Sequence, residues 1–214
     1  MMGRHLRILA LTGTLGALWA GSAVAQEDSG RDAPSTERRS VTAVKFLAGA
    51  ALGLAAHEGG HLVFDGIFDA DPRLARVDFH GIPFFAITHR PDLPRRQELA
   101  ISSAGFWVQH AGNEWILSRR PGIRRARAPV AKGVLAFNIL ASAAYAGAAL
   151  ARTGPPERDT FGMAEGSRTD ERVIGALVLT PAVLDAWRYY RPNNRWLKWA
   201  SRSVKVGMVI LAVR

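Results

Sequence analysis

The segment F-L-A-G-A-A-L-G-L-A-A-H-E-G-G-H-L-V-F-D-G-I-F, residues 46–68, carries most of what this chain discloses about itself. Its 23 residues are mainly Ala, Gly and Leu. As a helix rising ~1.5 Å per residue, it is long enough to cross a hydrocarbon core of ~30 Å. Three ionisable side chains, His57, Glu58 and His61, sit near its middle. Charged groups are costly at that depth unless they pair or bind a metal, so the cluster reads as a functional site inside an apolar helix.

Outward from this helix, the N-terminal 1–25 resemble a secretory signal or a first membrane helix. Arg4 and Arg7 precede an apolar run from Ile8 to Ala20, and Ala23-Val24-Ala25 offers a small-residue cleavage site. Residues 26–44 form a polar lead, and 45–214 form the membrane-embedded domain. After the first helix, R-V-D-F-H-G-I-P-F-F-A-I-T-H (76–89) predicts one or two strands, or a hairpin lying against the membrane. Helices are expected over 97–118 and 130–151, with a loop at 152–171. A short helix at 173–187, interrupted by Pro181, precedes a final segment at 196–213. The expected fold is mainly α, a polytopic transmembrane bundle with a short hairpin-like connector.

Composition narrows the chemistry. Lys plus Arg total 28 against 18 acidic residues, a net charge of +10. The arginines cluster beside apolar segments and few aromatics interleave with them, which suits anionic lipid headgroups and argues against nucleic acid. Trp187, Tyr189, Tyr190, Trp196 and Trp199 read as an interfacial aromatic belt. Cysteine is absent, which removes disulfides, thiol catalysis and every Cys-based zinc site. Any metal must be held by His and carboxylates.

His57-Glu58-Gly59-Gly60-His61 is an H-E-x-x-H pattern. Helical residues four apart share a face, so both imidazoles can grip one ion, and Glu58 can reach a water beside it without being a ligand. Zn²⁺ suits two nitrogens and one oxygen with a fourth position open. Gly59 and Gly60 allow close helix packing or clear space for a substrate backbone. Asp185 in T-P-A-V-L-D-A-W and Glu114 in A-G-N-E-W are both candidates for the third ligand, and spacing does not separate them. His80 and His89 read as surface or hairpin residues, His110 as a polar contact within the bundle, and Asn138 as interhelical glue.

The order H-E-G-G-H, then a Gly-Ile-Pro connector, then R-R-Q-E-L-A-I-S-S-A-G-F-W-V-Q, then P-A-V-L-D-A resembles the site-2 protease family of intramembrane zinc metallopeptidases. That resemblance implies His57 and His61 as zinc ligands with Glu58 as catalytic base. It implies Asp185, in the place of the family's L-D-G aspartate, as third ligand. Ala104-Gly105 match the family's A-G pair, and Gln109 stands where its Asn positions the substrate. Phe106 replaces the family's Pro, and Ala186 the Gly of L-D-G. The expected activity is zinc-dependent hydrolysis of a peptide bond in or near a transmembrane segment of another protein, in a membrane like the bacterial inner membrane. The altered motifs keep two other readings open: a non-proteolytic metal-binding membrane protein, and an exported soluble gluzincin-like peptidase using Glu114.

Overall fold

The computed structural model describes residues 36–79 and 82–213; the signal-like segment 1–25 and His80 lie outside them. The chain divides into two compact units, Met1–Ser40 and Val41–Arg214. Of the first, only residues 36–40, the opening of a helix, are described; every other described residue belongs to the second unit.

The elements are α1 (Thr36–Phe68), β1 (Arg73–Phe79), β2 (Ile82–Thr88), α2 (Arg95–Arg119), α3 (Pro129–Ala151), α4 (Asp159–Ser167), α5 (Glu171–Tyr190) and α6 (Arg195–Val213). Among the described residues the fold is mainly helical with one antiparallel hairpin, as the patterning indicated. α1 begins ten residues before the apolar run, because Thr36-Glu37-Arg38-Arg39 are compatible with a helix and Glu37 suits its positive first turn. It ends at Phe68 with Asp69 in the left-handed region (φ 54°), while the Ala70 N–H donates back to the Asp65 carbonyl at 2.9 Å. This is the Schellman stop, with an aspartate where glycine is usual.

The hairpin pairs Arg73 with Thr88, Ala75 with Ala86 and Phe79 with Ile82. Its base is closed by Arg90 N–H donating to the Ala70 carbonyl at 3.0 Å. α3 starts on Pro129, whose missing N–H costs nothing in a first turn.

The expected loop at 152–171 instead contains α4. Its sequence D-T-F-G-M-A-E-G-S is a poor helix former, since Gly162 and Gly166 each cost ~1 kcal/mol against Ala. Those two glycines lie against α2. A Cβ at Gly162 would overlap Ser102 and Glu98, and one at Gly166 would press on the Leu99 backbone. Packing, not propensity, makes this helix. α5 is also longer than expected, running through a buried Pro181 and capped by Asp170, which accepts from the Arg172 N–H.

α2 lies at the centre, with a nearly continuous buried stripe from Ala100 through Phe106 and Gln109 to Leu117. α3 packs most extensively on α5, and α2 on α4. Phe106, Ala146, Met163, Ile174, Val178 and Met208 form the apolar core. α1 crosses α3 at backbone contact: a Cβ at Gly49 would overlap the Val130 carbonyl, and one at Gly133 the Phe46 carbonyl. Gly49 and Gly53 form a G-x-x-x-G pair, the small-residue arrangement that brings apolar helices together.

Among the described residues, two helices are long and apolar enough to cross a membrane, Glu37–Phe68 and Pro129–Ala151. Only 17% and 33% of their most apolar windows are buried within the protein, unlike core helices of a soluble domain. α2, α5 and α6 do not meet that measure: α2 carries Gln109, His110, Asn113 and Glu114, α5 carries Asp185 and Arg188, and α6 carries Lys198, Arg202 and Lys205.

Candidate metal centre

His57 and His61 project from the same face of α1, one turn apart, and Asp159 at the start of α4 meets them. The three side chains form a potential metal-ligand group. Asp159 Oδ2 lies 2.9 Å from His57 Nε2 and 3.4 Å from His61 Nε2, and the two nitrogens are 3.2 Å apart. Metal–ligand bonds of ~2.0–2.1 Å arranged tetrahedrally place ligand atoms ~3.3 Å from one another. The triangle therefore has the dimensions of one face of a zinc tetrahedron. Its donor set, two imidazoles and a carboxylate, suits zinc among the common divalent cations.

Each ligand is held from behind. His61 Nδ1 donates to the Ile101 carbonyl at 2.8 Å, fixing the tautomer that leaves Nε2 free to ligate. The His57 ring is held by packing, edge-on to Phe106 and stacked with Tyr145 at 5.9 Å between centroids. Gly105 lies so close to that ring that any Cβ would overlap it. Asp159 is delivered by its neighbour. Arg158 forms a two-pronged ion pair with Glu171, both bonds at 2.8 Å, and also donates to the carbonyls of Gly154 and Pro155. Burial works to raise the Asp159 carboxyl, but the two imidazoles beside it prevail and hold it well below the usual carboxylate range.

Two cavities meet at His61 and Asp159. The larger, about 250 Å³, is lined by Glu58, Tyr145 and residues 86–87 of β2. The smaller, about 140 Å³, is lined by residues 87–89, Glu98 and Ser102. β2 thus runs along both, and among the described residues one of its edges is unpaired.

The third carboxylate is a correction to the sequence reading. Asp185 is fully buried elsewhere, accepting from Lys205 (2.7 Å), Ser201 (2.9 Å) and Asn113 (3.0 Å). Glu114 pairs with Arg188, Arg202 and Lys205. Neither joins the histidines. Gln109 is buried in the same internal network: its Oε1 accepts from Ser142 (3.2 Å) and its carbonyl from Asn138 (3.2 Å), and it lines neither cavity. Asn138 also donates to Asn113 at 2.8 Å, acting as interhelical glue as anticipated. His110 is buried, with no partner for either ring nitrogen among the described residues.

His89 is not a surface residue. Its side chain is 17% exposed and bonds to Glu98 at 2.6 Å. Of the two glycines in the motif, Gly60 packs on the Ala104 carbonyl, whereas a Cβ at Gly59 would meet nothing. Asp159 and Tyr145 were missed by the sequence reading. The one available signal was Pro155-Pro156 a few residues ahead of Asp159, a rigid lead into a helix start. No protein-family model, curated protein or solved structure matches the chain.

Proposed function

We propose that the protein is a zinc-dependent endopeptidase of the membrane, cleaving a peptide bond in or beside a transmembrane segment of another protein. The observation that carries this reading is the buried His57–His61–Asp159 triangle of tetrahedral size, with Glu58 on the wall of the adjoining cavity. α1 and α3 are the proposed spans, so the centre would lie where lipid-embedded substrate can reach it. The remaining helices complete the bundle around charged inner faces instead of crossing independently.

His57, His61 and Asp159 would hold the ion. Zinc in this site supplies Lewis acidity, lowering the pKa of a water towards neutrality and polarising a carbonyl. Glu58 removes the proton from the attacking water and returns it to the leaving amine. Tyr145, on the same wall, donates its O–H to Asp159 and helps hold that carboxylate against the two imidazoles. The unpaired edge of β2 offers backbone hydrogen bonds to an extended substrate, which must leave its helix before its carbonyl can be attacked.

The resemblance to site-2 proteases is supported by the H-E-x-x-H helix and by Gly105, whose lack of a side chain makes room for the His57 ring. Asp159 replaces the expected ligand. The test is Glu58→Gln in proteoliposomes holding single-span substrates. Zinc content should stay stoichiometric while cleavage falls by at least ~10²-fold. Undiminished cleavage would remove Glu58 from its role, and absence of zinc from the wild type would leave no peptidase.

A further inference from the structure

We infer that the protein carries a second divalent-cation site, formed by Asp65 and His89 and supported by Glu98. Asp65 lies one helical turn beyond His61, so residues 57, 61 and 65 share one face of α1. Its carboxylate is 0% exposed, and neither oxygen has a hydrogen-bond partner among the described residues. A buried carboxylate with four unused lone-pair positions is expensive, and such a group in a native structure marks a catalytic role or a place for a water or ion.

The geometry around it specifies a cation. His89 Nε2 lies 2.6 Å from Glu98 Oε2. A carboxylate only accepts, so Nε2 carries the proton. Glu98 is itself fixed by Ser102, whose hydroxyl donates to its other oxygen at 3.0 Å. The remaining ring nitrogen, Nδ1, faces Asp65 Oδ1 at 3.7 Å, too far for a hydrogen bond. A cation ~2.0–2.2 Å from each atom fits between them.

The carboxylate–imidazole–metal order reproduces how ligating histidines are oriented, with the far N–H held by an acceptor. His61 in the first centre shows the same device, its far nitrogen donating to Ile101. His89 and Glu98 line the smaller cavity, from which water can complete the coordination. Imidazole with carboxylate suits zinc or a neighbouring transition ion over calcium or magnesium. A cation here would join α1 and α2 to the end of β2, clamping the strand whose residues line both cavities.

The site is independent of the peptidase reading, and zinc stoichiometry separates the two. Full-length protein in detergent, stripped with chelator and dialysed against Zn²⁺, should hold two equivalents. Asp65→Asn and His89→Gln should each hold one, as should His57→Gln by loss of the other ion. Glu98→Gln should weaken the second equivalent by ~10–100-fold. Since Asn matches Asp in size, the equivalent retained by Asp65→Asn also reports that the protein has folded. A wild type holding one equivalent that Asp65→Asn leaves unchanged would overturn the second site alone. One equivalent lost in Asp65→Asn but kept in His57→Gln would uphold it and overturn the first.

Discussion

Asp159 and Asp185 show how two aspartates, one partly and one fully buried, come to different chemistry. Asp159 faces two imidazoles across 2.9 and 3.4 Å. Asp185 faces a lysine, a serine hydroxyl and an asparagine amide. Replacing each should therefore fail differently. Asp159→Asn removes the anionic ligand, and zinc content should fall below one-tenth of the first equivalent while the melting temperature of the stripped protein changes little. Asp185→Ala should keep zinc and lower stability by about 3 kcal/mol, the lower end for breaking a buried ion pair, because Glu114 still faces Lys205. Metal analysis and thermal melts on the same preparations distinguish the two. Arg158→Ala touches neither ion, yet it frees the segment that delivers Asp159. Zinc affinity should fall by ~10–100-fold, measured by competition with a chromophoric chelator.

At the scale of elements, glycines set how closely the helices approach. Gly133→Ala places a methyl against the Phe46 carbonyl and should destabilise by at least about 1–3 kcal/mol. Gly147→Ala, in the same helix but with open space around it, should stabilise by about 0.5–1 kcal/mol. The pair, compared by chemical denaturation, separates packing from propensity.

α5 owes its start to Asp170. The Arg172 N–H and, secondarily, Arg152 favour the ionised carboxylate and lower its pKa. Its stabilisation should be present above the ordinary aspartate pKa of ~3.9 and lost as pH falls through the lowered value. Asp170→Ala should therefore show a shallower loss of stability on acidification than wild type.

Whole-molecule behaviour is set by the surface that the bundle leaves uncovered. Val44, Leu47, Leu52, Leu54, Leu62 and Ile67 on α1 are each at least 45% exposed. So much apolar surface on a helix long enough to cross a membrane is what the proposed span requires. After alkaline carbonate washing, the protein should stay with the membrane pellet and be released only by detergent; recovery in the wash would count against α1 and α3 as spans. The net charge of +10 should bias its soluble surface towards anionic vesicles, with an attraction that weakens as salt is raised.

Local rules made part of this legible in advance. Apolar length marked α1 and α3, alternation and turn residues marked the hairpin, and helical spacing put His57 and His61 on one face with Glu58 beside them. Those features depend on residues within a few positions of each other, so the sequence alone determines them. Asp159 lies 98 residues beyond His61, in a stretch whose glycines argue against any helix. Only α4 packing against Glu98, Leu99 and Ser102 of α2 brings it to the two histidines. Asp185 was the better sequence candidate, and the fold withdrew it because α6 supplies Lys205 and Ser201 at closer range. His89 has the sequence context of a hairpin residue, and only the fold sets Asp65 and Glu98 on either side of it. Which carboxylate meets which imidazole is a matter of long-range packing, and no periodicity along the chain encodes it.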